Sequence, residues 1–291
     1  MSINIYIKLE SDYFNINFLF EYNIYMEKHN LNITDRIIDE SMYSYTNETN
    51  LSLHDKILAY YNGLNWRIVP LNLFLSYPVI YDRYYKEDLE ENSVTIAVCP
   101  FTLSASMFFG KYYPSEYLIN SSLVLEDNKN NLLPIVTGYS LNPDGESKKV
   151  KRWEVFIKIF RNAISDYPDC QYIKLSINNH YNTLLDNDYY LNNKILFDNK
   201  NNNKHDVHPK TLIHVIQYKS SKNLEDKYSI ILGRDSNPDE PTGYNVKDSG
   251  FSKYIEKMES KLGEKSAFII PMLWFAWKNL FVDANIIKLV E

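Results

Sequence analysis

Cys99 closes the apolar run Val94-Thr-Ile-Ala-Val-Cys99 and is one of two cysteines in 291 residues. As a thiolate it would be a nucleophile, and a thiolate needs a cationic or basic neighbour to form. Pro100, Phe101, Met107 and Phe108 offer only apolar surroundings. A strand through this run points Val94, Ile96 and Val98 one way and Thr95, Ala97 and Cys99 the other. The second face is small and weakly polar, which suits either a pocket floor or a tightly packed layer. A buried structural cysteine is the preferred reading. Cys170, next to Asp169, is read as incidental.

Asp82, Asp127 and Asp283 fall at the ends of strand-like runs. Carboxylates so placed can serve as general acid and base, or accept the backbone N–H groups of a turn. The turn role is favoured, and no spacing predicts that two of them converge. If a small molecule is held at the Cys99-Pro100 corner, Cys99, Asp82 and Asp127 are the catalytic candidates. Thr95, Ser104 and Trp277 are then the ligand-binding candidates.

His205-Asp-Val-His208, with His214 beyond, is the one local group of metal-capable side chains. Zinc needs three or four fixed ligands, and Pro209 opposes the helix that would place His205 and His208 on one face. No metal is assigned. Phosphate and dinucleotide cradles are missing: Gly110-Lys111 precedes Tyr, and neither Gly-x-Gly-x-x-Gly nor Gly-x-Ser-x-Gly occurs, so no cofactor is expected. Trp66, Trp153, Trp274 and Trp277 could stack bases or sugars, but core packing is the default in a chain with 25 tyrosines.

Composition bounds the alternatives. A net charge of -6 leaves no electrostatic footprint for nucleic acid or an anionic membrane. The longest apolar run, residues 267–277, is too short to span a bilayer and contains Pro271. The first residues lack a basic segment followed by an apolar one, so no signal peptide is read and the protein is expected not to be secreted. Two separated cysteines make no disulfide framework. Abundant Asn, Ile, Lys and Tyr report A- and T-rich codons, which weakens every Asn-based motif.

The elements that must hold these residues are mostly short strands. Residues 3–9 alternate as a strand, and residues 14–26 lean to helix. Ser52 and Asp55 look like a helix start, with Leu53, Ile57, Leu58 and Tyr61 on one face and Gly63 as the stop. Strand-type runs follow at 66–69, 79–81, 94–99, 101–109, 117–125 and 132–137, punctuated by proline. The acidic run 87–91 reads as a charged hairpin tip. Trp153, Phe156, Ile157, Phe160 and Ile164 form an apolar helical stripe, stopped by Asp166 and Pro168. Strands are read again at 171–177, 211–218, 228–232, 265–270 and 286–290, with helices at 251–262 and 272–281.

One α+β domain over residues 1–291 is expected, mainly antiparallel β-sheet with a few peripheral helices at Ser52, Trp153 and Phe251. Residues 1–65 form an N-terminal extension packed on it. Residues 178–204 form a polar surface insertion.

The order of segments resembles the family known as domain of unknown function 3179, over roughly residues 66–281. The residues that carry it are Pro78-Val-Ile-Tyr-Asp82, the Cys99-Pro100 strand end, the small residues 102–106 and Asp127. Gly138, Trp153, His208-Pro-Lys-Thr211 and Trp274-Phe-Ala-Trp277 follow in that order. Where the family has a second Cys and a Gly after Cys-Pro, this chain has Thr102 and Leu103, and a Trp before Gly138 is lacking. Paired-thiol or metal chemistry is therefore not expected here, and the resemblance implies no known activity.

The preferred function is a non-catalytic structural or interaction protein of a larger assembly, with protein partners or a homo-oligomer. A cytoplasmic or virion location is expected, and a virion component is carried as a hypothesis. The alternative is a small-molecule enzyme or binder at the Cys99-Pro100 corner.

Overall fold

The structure is a computed structural model that describes residues 26–29, 31–86, 89–143, 146–176, 183–186, 188–196, 207–219, 226–232, 268–277 and 285–288. The strands of the described residues form four sheets. The central sheet orders Arg152–Trp153, Ala105–Phe109, Leu89–Val98, Val79–Lys86 and Ile37–Ile38. An outer sheet orders Val155–Ile159, Lys56–Tyr61, Trp66–Pro70, Gln171–Leu175 and Tyr43–Thr46. A six-stranded sheet is built around the hairpin Tyr113–Ile119 and Ser122–Glu126, and a four-stranded sheet around Leu212–Lys219. Pairing is antiparallel except at Ile37–Ile38, at Gln171–Leu175 against Trp66–Pro70, and at Asn285–Lys288.

The central sheet is buried on both faces. Ala97 and Cys99 join one core with Leu118, Leu123 and Leu125 of the six-stranded sheet and Ile213 and Val215 of the four-stranded one. Val94, Ile96 and Val98 join a second core with Leu58, Tyr60 and Val69 of the outer sheet. The alternation expected of this run is therefore present. The other face of the outer sheet packs Ile57, Ala59 and Ile68 against Phe160 and Ala163 of the helix Phe160–Asp166.

Mainly antiparallel sheet is as expected from the sequence; of the helices expected for an α+β fold, the described residues hold little. Among the described residues the helices are one of seven residues, one of four (Trp274–Trp277), and three short 3-10 segments. The fold is sheet-dominated. No helix of the described residues is long and apolar enough to cross a membrane.

The helix expected from Ser52 is a turn followed by a strand. Ser52 N–H donates to Asp55 Oδ2 at 2.8 Å, and Asp55 N–H to the Ser52 carbonyl at 2.9 Å. The capping signal is real, but Ile57, Leu58, Ala59 and Tyr60 are each fully buried, which an interior strand achieves and a one-sided helix does not. A short continuous apolar run cannot be assigned by period alone. The turn serves a helix elsewhere: the Asp55 and Leu53 carbonyls accept the Phe160 and Arg161 N–H groups at 2.8 and 3.1 Å.

The stripe from Trp153 likewise divides. Residues Val155–Ile159 pair with Lys56–Tyr61 as an edge strand, and only Phe160–Asp166 is helical, ending where Asp166 and Pro168 predict. The run 117–125 is a hairpin, not one strand. Asn120 and Ser121 both take positive φ, 45° and 68°, the pattern of a two-residue type I′ turn. In a chain so rich in Asn that signal does not stand out.

Residues 26–61, read as part of an extension, supply edge strands to three sheets, and Lys56–Tyr61 is interior to the outer one. The expected strand at 3–9, the helix at 251–262 and most of the 178–204 insertion lie outside the described residues, as does the helix at 14–26 save Met26, which begins a strand. Leu212–Lys219 and Asp226–Leu232 pair antiparallel, with His214 opposite Ile231.

Gly63 fixes how the outer hairpin meets the central sheet. It has φ +95°, and a Cβ there would lie 1.8 Å from the Tyr85 carbonyl oxygen, while Tyr85 N–H donates to the Asn62 carbonyl at 2.8 Å. Gly110 has a similar φ, +100°, but its nearest neighbour would be a Tyr112 ring carbon at 3.4 Å. Gly63→Ala is expected to cost about 3 kcal/mol or more and Gly110→Ala about 1–2 kcal/mol, measured as shifts in denaturant midpoint.

Candidate functional site

The Cys99-Pro100 corner is a tight loop closed by backbone bonds. Leu103 N–H donates to the Cys99 carbonyl at 2.9 Å, and Cys99 N–H to the Ser104 carbonyl at 2.8 Å. Leu103 takes φ 52° to make the turn. Thr102, Ser104 and Ser122, all 0% exposed, bring their hydroxyls together at 2.7, 3.1 and 3.2 Å. Three hydroxyls in mutual contact satisfy one another without water. Ser104 is thus part of a closed structural triad.

Cys99 is itself sealed. Its thiol donates to the Ser121 carbonyl at 3.4 Å, and burial pushes it above the ordinary thiol range, against hydrogen bonds at Thr102 and the neighbouring backbone. Desolvation favours the neutral thiol, so no thiolate is poised. Cys170 packs among Ile57, Ala59 and Phe160 and lies 3.4 Å from the Tyr172 hydroxyl.

The other predicted residues separate. Thr95 is buried within the strand, donating to the Gly110 carbonyl at 2.7 Å and accepting from Tyr112 N–H at 3.1 Å. It latches a loop. Asp127 accepts from Lys129 N–H, Asn131 N–H and Asn131 Nδ2 at 2.8, 2.9 and 2.7 Å. Its slight burial would raise its pKa, but these hydrogen bonds outweigh that and hold it below the usual range; this is the turn role. Asp283 and His205 lie outside the described residues. His208 accepts Lys210 N–H through Nδ1 at 3.1 Å, whereas His214 sits opposite Pro271 and Ile231 within the four-stranded sheet. Among the described residues no three His, Cys, Asp or Glu side chains form a group that could hold a metal.

Asp82 is the hub of a different assembly. It is buried between the central and outer sheets, where Tyr60 donates to Oδ2 at 2.8 Å and Tyr43 lies 3.3 Å from Oδ1 while donating to the Tyr81 carbonyl at 2.7 Å. The Tyr45 hydroxyl is 2.9 Å from that of Tyr60. Burial raises the Asp82 pKa, opposed by the tyrosine hydrogen bonds and by the charge of Arg67. Burial and the Asp82 charge push the Tyr43 and Tyr60 hydroxyls upward, so both stay protonated donors. Sequence reading named Asp82 but missed its three tyrosines and Arg67. The available signal was a lone arginine between Trp66 and Ile68 in an apolar strand.

A second missed group lies beside the corner. Tyr189 donates to the Phe101 carbonyl at 3.1 Å, Tyr190 to the Pro100 carbonyl, and Leu273 N–H to the Thr102 carbonyl at 2.7 Å. Lys210, 0% exposed, places Nζ 3.1 Å from the centroid of the Tyr189 ring and 5.1 Å from that of Phe275, and Nζ has no hydrogen-bond partner. Burial pushes its pKa down to about 7, while the ring faces favour the cation. Trp277 shares the core with Cys99, its Nε1 buried and unpaired.

Two outcomes follow. Tyr60→Phe, which leaves a buried carboxylate oxygen without its donor, is expected to cost about 1–3 kcal/mol, with a smaller cost in an Asp82→Asn background by double-mutant cycle. For Lys210 the unfolded chain binds a proton below about 10.5 and the folded chain only below about 7. Between those values the unfolded state holds more protons, so stability rises with pH. Lys210→Met flattens that rise, read from denaturation midpoints across the same window.

The chain matches no family model, no curated protein and no solved structure.

Proposed function

We propose that this chain is a non-catalytic structural or interaction protein of a larger assembly, in a cytoplasmic or virion setting, with protein partners or further copies of itself. The observation that carries the reading is the state of Cys99: fully buried, donating to a carbonyl, with no imidazole or carboxylate in reach among the described residues. Asp82 is likewise enclosed by tyrosine hydroxyls, and Asp127 by turn N–H groups. Cys99 has no base in reach among the described residues, and the Tyr60–Asp82 contact is buried between two sheets, whereas covalent catalysis requires a nucleophile and base that substrate can reach.

The surface offers aromatic side chains instead. The tip of the outer hairpin exposes Leu64 at 60% and Tyr61 at 41%, with Trp66 stacked on Tyr167 at 3.7 Å. Tyr84, Phe109 and Trp153 form a second half-buried group crossed by Lys151. Trp and Tyr are among the side chains that carry most protein–protein binding energy.

A small-molecule site at the Cys99-Pro100 corner is the second reading. It is favoured by the unpaired Lys210 Nζ and Trp277 Nε1 within the same region. Thiol labelling of the native protein separates the two. Under the first reading both cysteines stay unlabelled until denaturant unfolds the chain, then react together. Labelling of Cys99 in the folded protein at the rate of an exposed thiol would overturn it and favour the corner site.

A further inference from the structure

Arg67 sits within the strand Trp66–Pro70 and is 6% exposed. It pairs with Tyr60 across the hairpin, so both side chains leave the same face of the outer sheet, toward the layer that holds Asp82. Its Cζ lies 3.6 Å from the centroid of the Tyr45 ring. Nε and Nη1 are buried and make no hydrogen bond.

A buried lysine such as Lys210 can relieve this situation by losing its proton. A guanidinium cannot, and it remains an acceptor-free cation with fixed donors. Asp82 does not supply the acceptor. No ion pair joins it to Arg67 among the described residues, and both its oxygens are engaged by Tyr60 and Tyr43. Asn62, 0% exposed at the end of the same hairpin, leaves Nδ2 unpaired as well. Buried donors without acceptors are costly, and a guanidinium with free N–H groups is the side chain suited to fork onto carboxylate or phosphate oxygens.

We propose that Arg67, held over the Tyr45 ring between the outer and central sheets, binds a small oxoanion, either a carboxylate or inorganic phosphate. Tyr43, Tyr45 and Tyr60 are held protonated by burial, so the hydroxyls facing the site are neutral donors; burial raises the Asp82 pKa, opposed by the charge of Arg67. The site is independent of the assembly reading above.

Calorimetric titration of the full chain with sodium phosphate and, separately, with sodium acetate at fixed ionic strength tests it. Saturable one-site binding of at least one of the two is expected. Binding should weaken about tenfold or more in Arg67→Lys, which keeps the charge but loses the fork, and vanish in Arg67→Met. The proposal is overturned if neither anion binds the unsubstituted protein saturably, the outcome for a layer satisfied by water alone. It is equally overturned if Arg67→Lys binds as tightly as the unsubstituted chain; that comparison decides alone should circular dichroism show Arg67→Met unfolded.

Discussion

The strand Leu89–Val98 has core on both sides, and its register cannot slip by one residue without exchanging Val94, Ile96 and Val98 for Thr95, Ala97 and Cys99. The branched set packs against Leu58, Tyr60 and Val69, while the small set meets the hairpin that carries Leu118 and Leu123. Each buried branched side chain contributes about 1.5–3 kcal/mol of apolar transfer, so three of them on one face hold the register firmly. The outer and six-stranded sheets each meet the central one through these two cores.

Enclosing a sheet on both faces leaves little room for polar side chains, and the protein meets that constraint in several ways. Hydroxyls are gathered so that each finds another, as at Thr102, Ser104 and Ser122. Single hydroxyls reach backbone carbonyls, as Ser106 does to Ile135 at 3.0 Å and Ser115 to Val124 on the neighbouring strand at 2.7 Å. Carboxylates are supplied with protonated donors: Asp82 by tyrosines, and Glu154 by Ile269 N–H at 3.1 Å, which covers part of the edge of the four-stranded sheet. Cations are laid over rings: Lys210 on Tyr189, Arg67 on Tyr45, and Arg152 at 3.8 Å on Phe268. A ring face offers a cation attraction without a formal charge, at no cost of burying an anion beside it. The abundance of tyrosine, which in the composition reads as codon bias, is what makes these solutions available.

Arg152 shows how one such residue joins parts of the fold. It belongs to the edge of the central sheet, bonds the Val136 carbonyl and the Gln217 side chain, and passes close to Gly138, where a Cβ would come within 2.7 Å of its guanidinium. The six-stranded, central and four-stranded sheets meet at that side chain. Its neighbours in sequence give no hint of this role, because Lys148, Lys149 and Lys151 make Arg152 one more charge in a basic run.

What the sequence determined by itself was the local alternation: which residues of 94–99 face which way, that Leu212–Lys219 and Asp226–Leu232 are strands, and that Asp127 belongs to a turn. Side-chain period and turn chemistry act over a few residues, so they are legible there. Whether Ile57 to Tyr60 became helix or strand, and whether Phe156 belonged to a helix stripe or a strand edge, depended on partners far along the chain. The gathering of Tyr43, Tyr45, Tyr60, Arg67 and Asp82 was likewise decided only by tertiary structure, since those residues come from four strands of two sheets. Burial on two faces, and the pairing of polar groups that it enforces, are properties of packed layers and have no signature in a single run of residues.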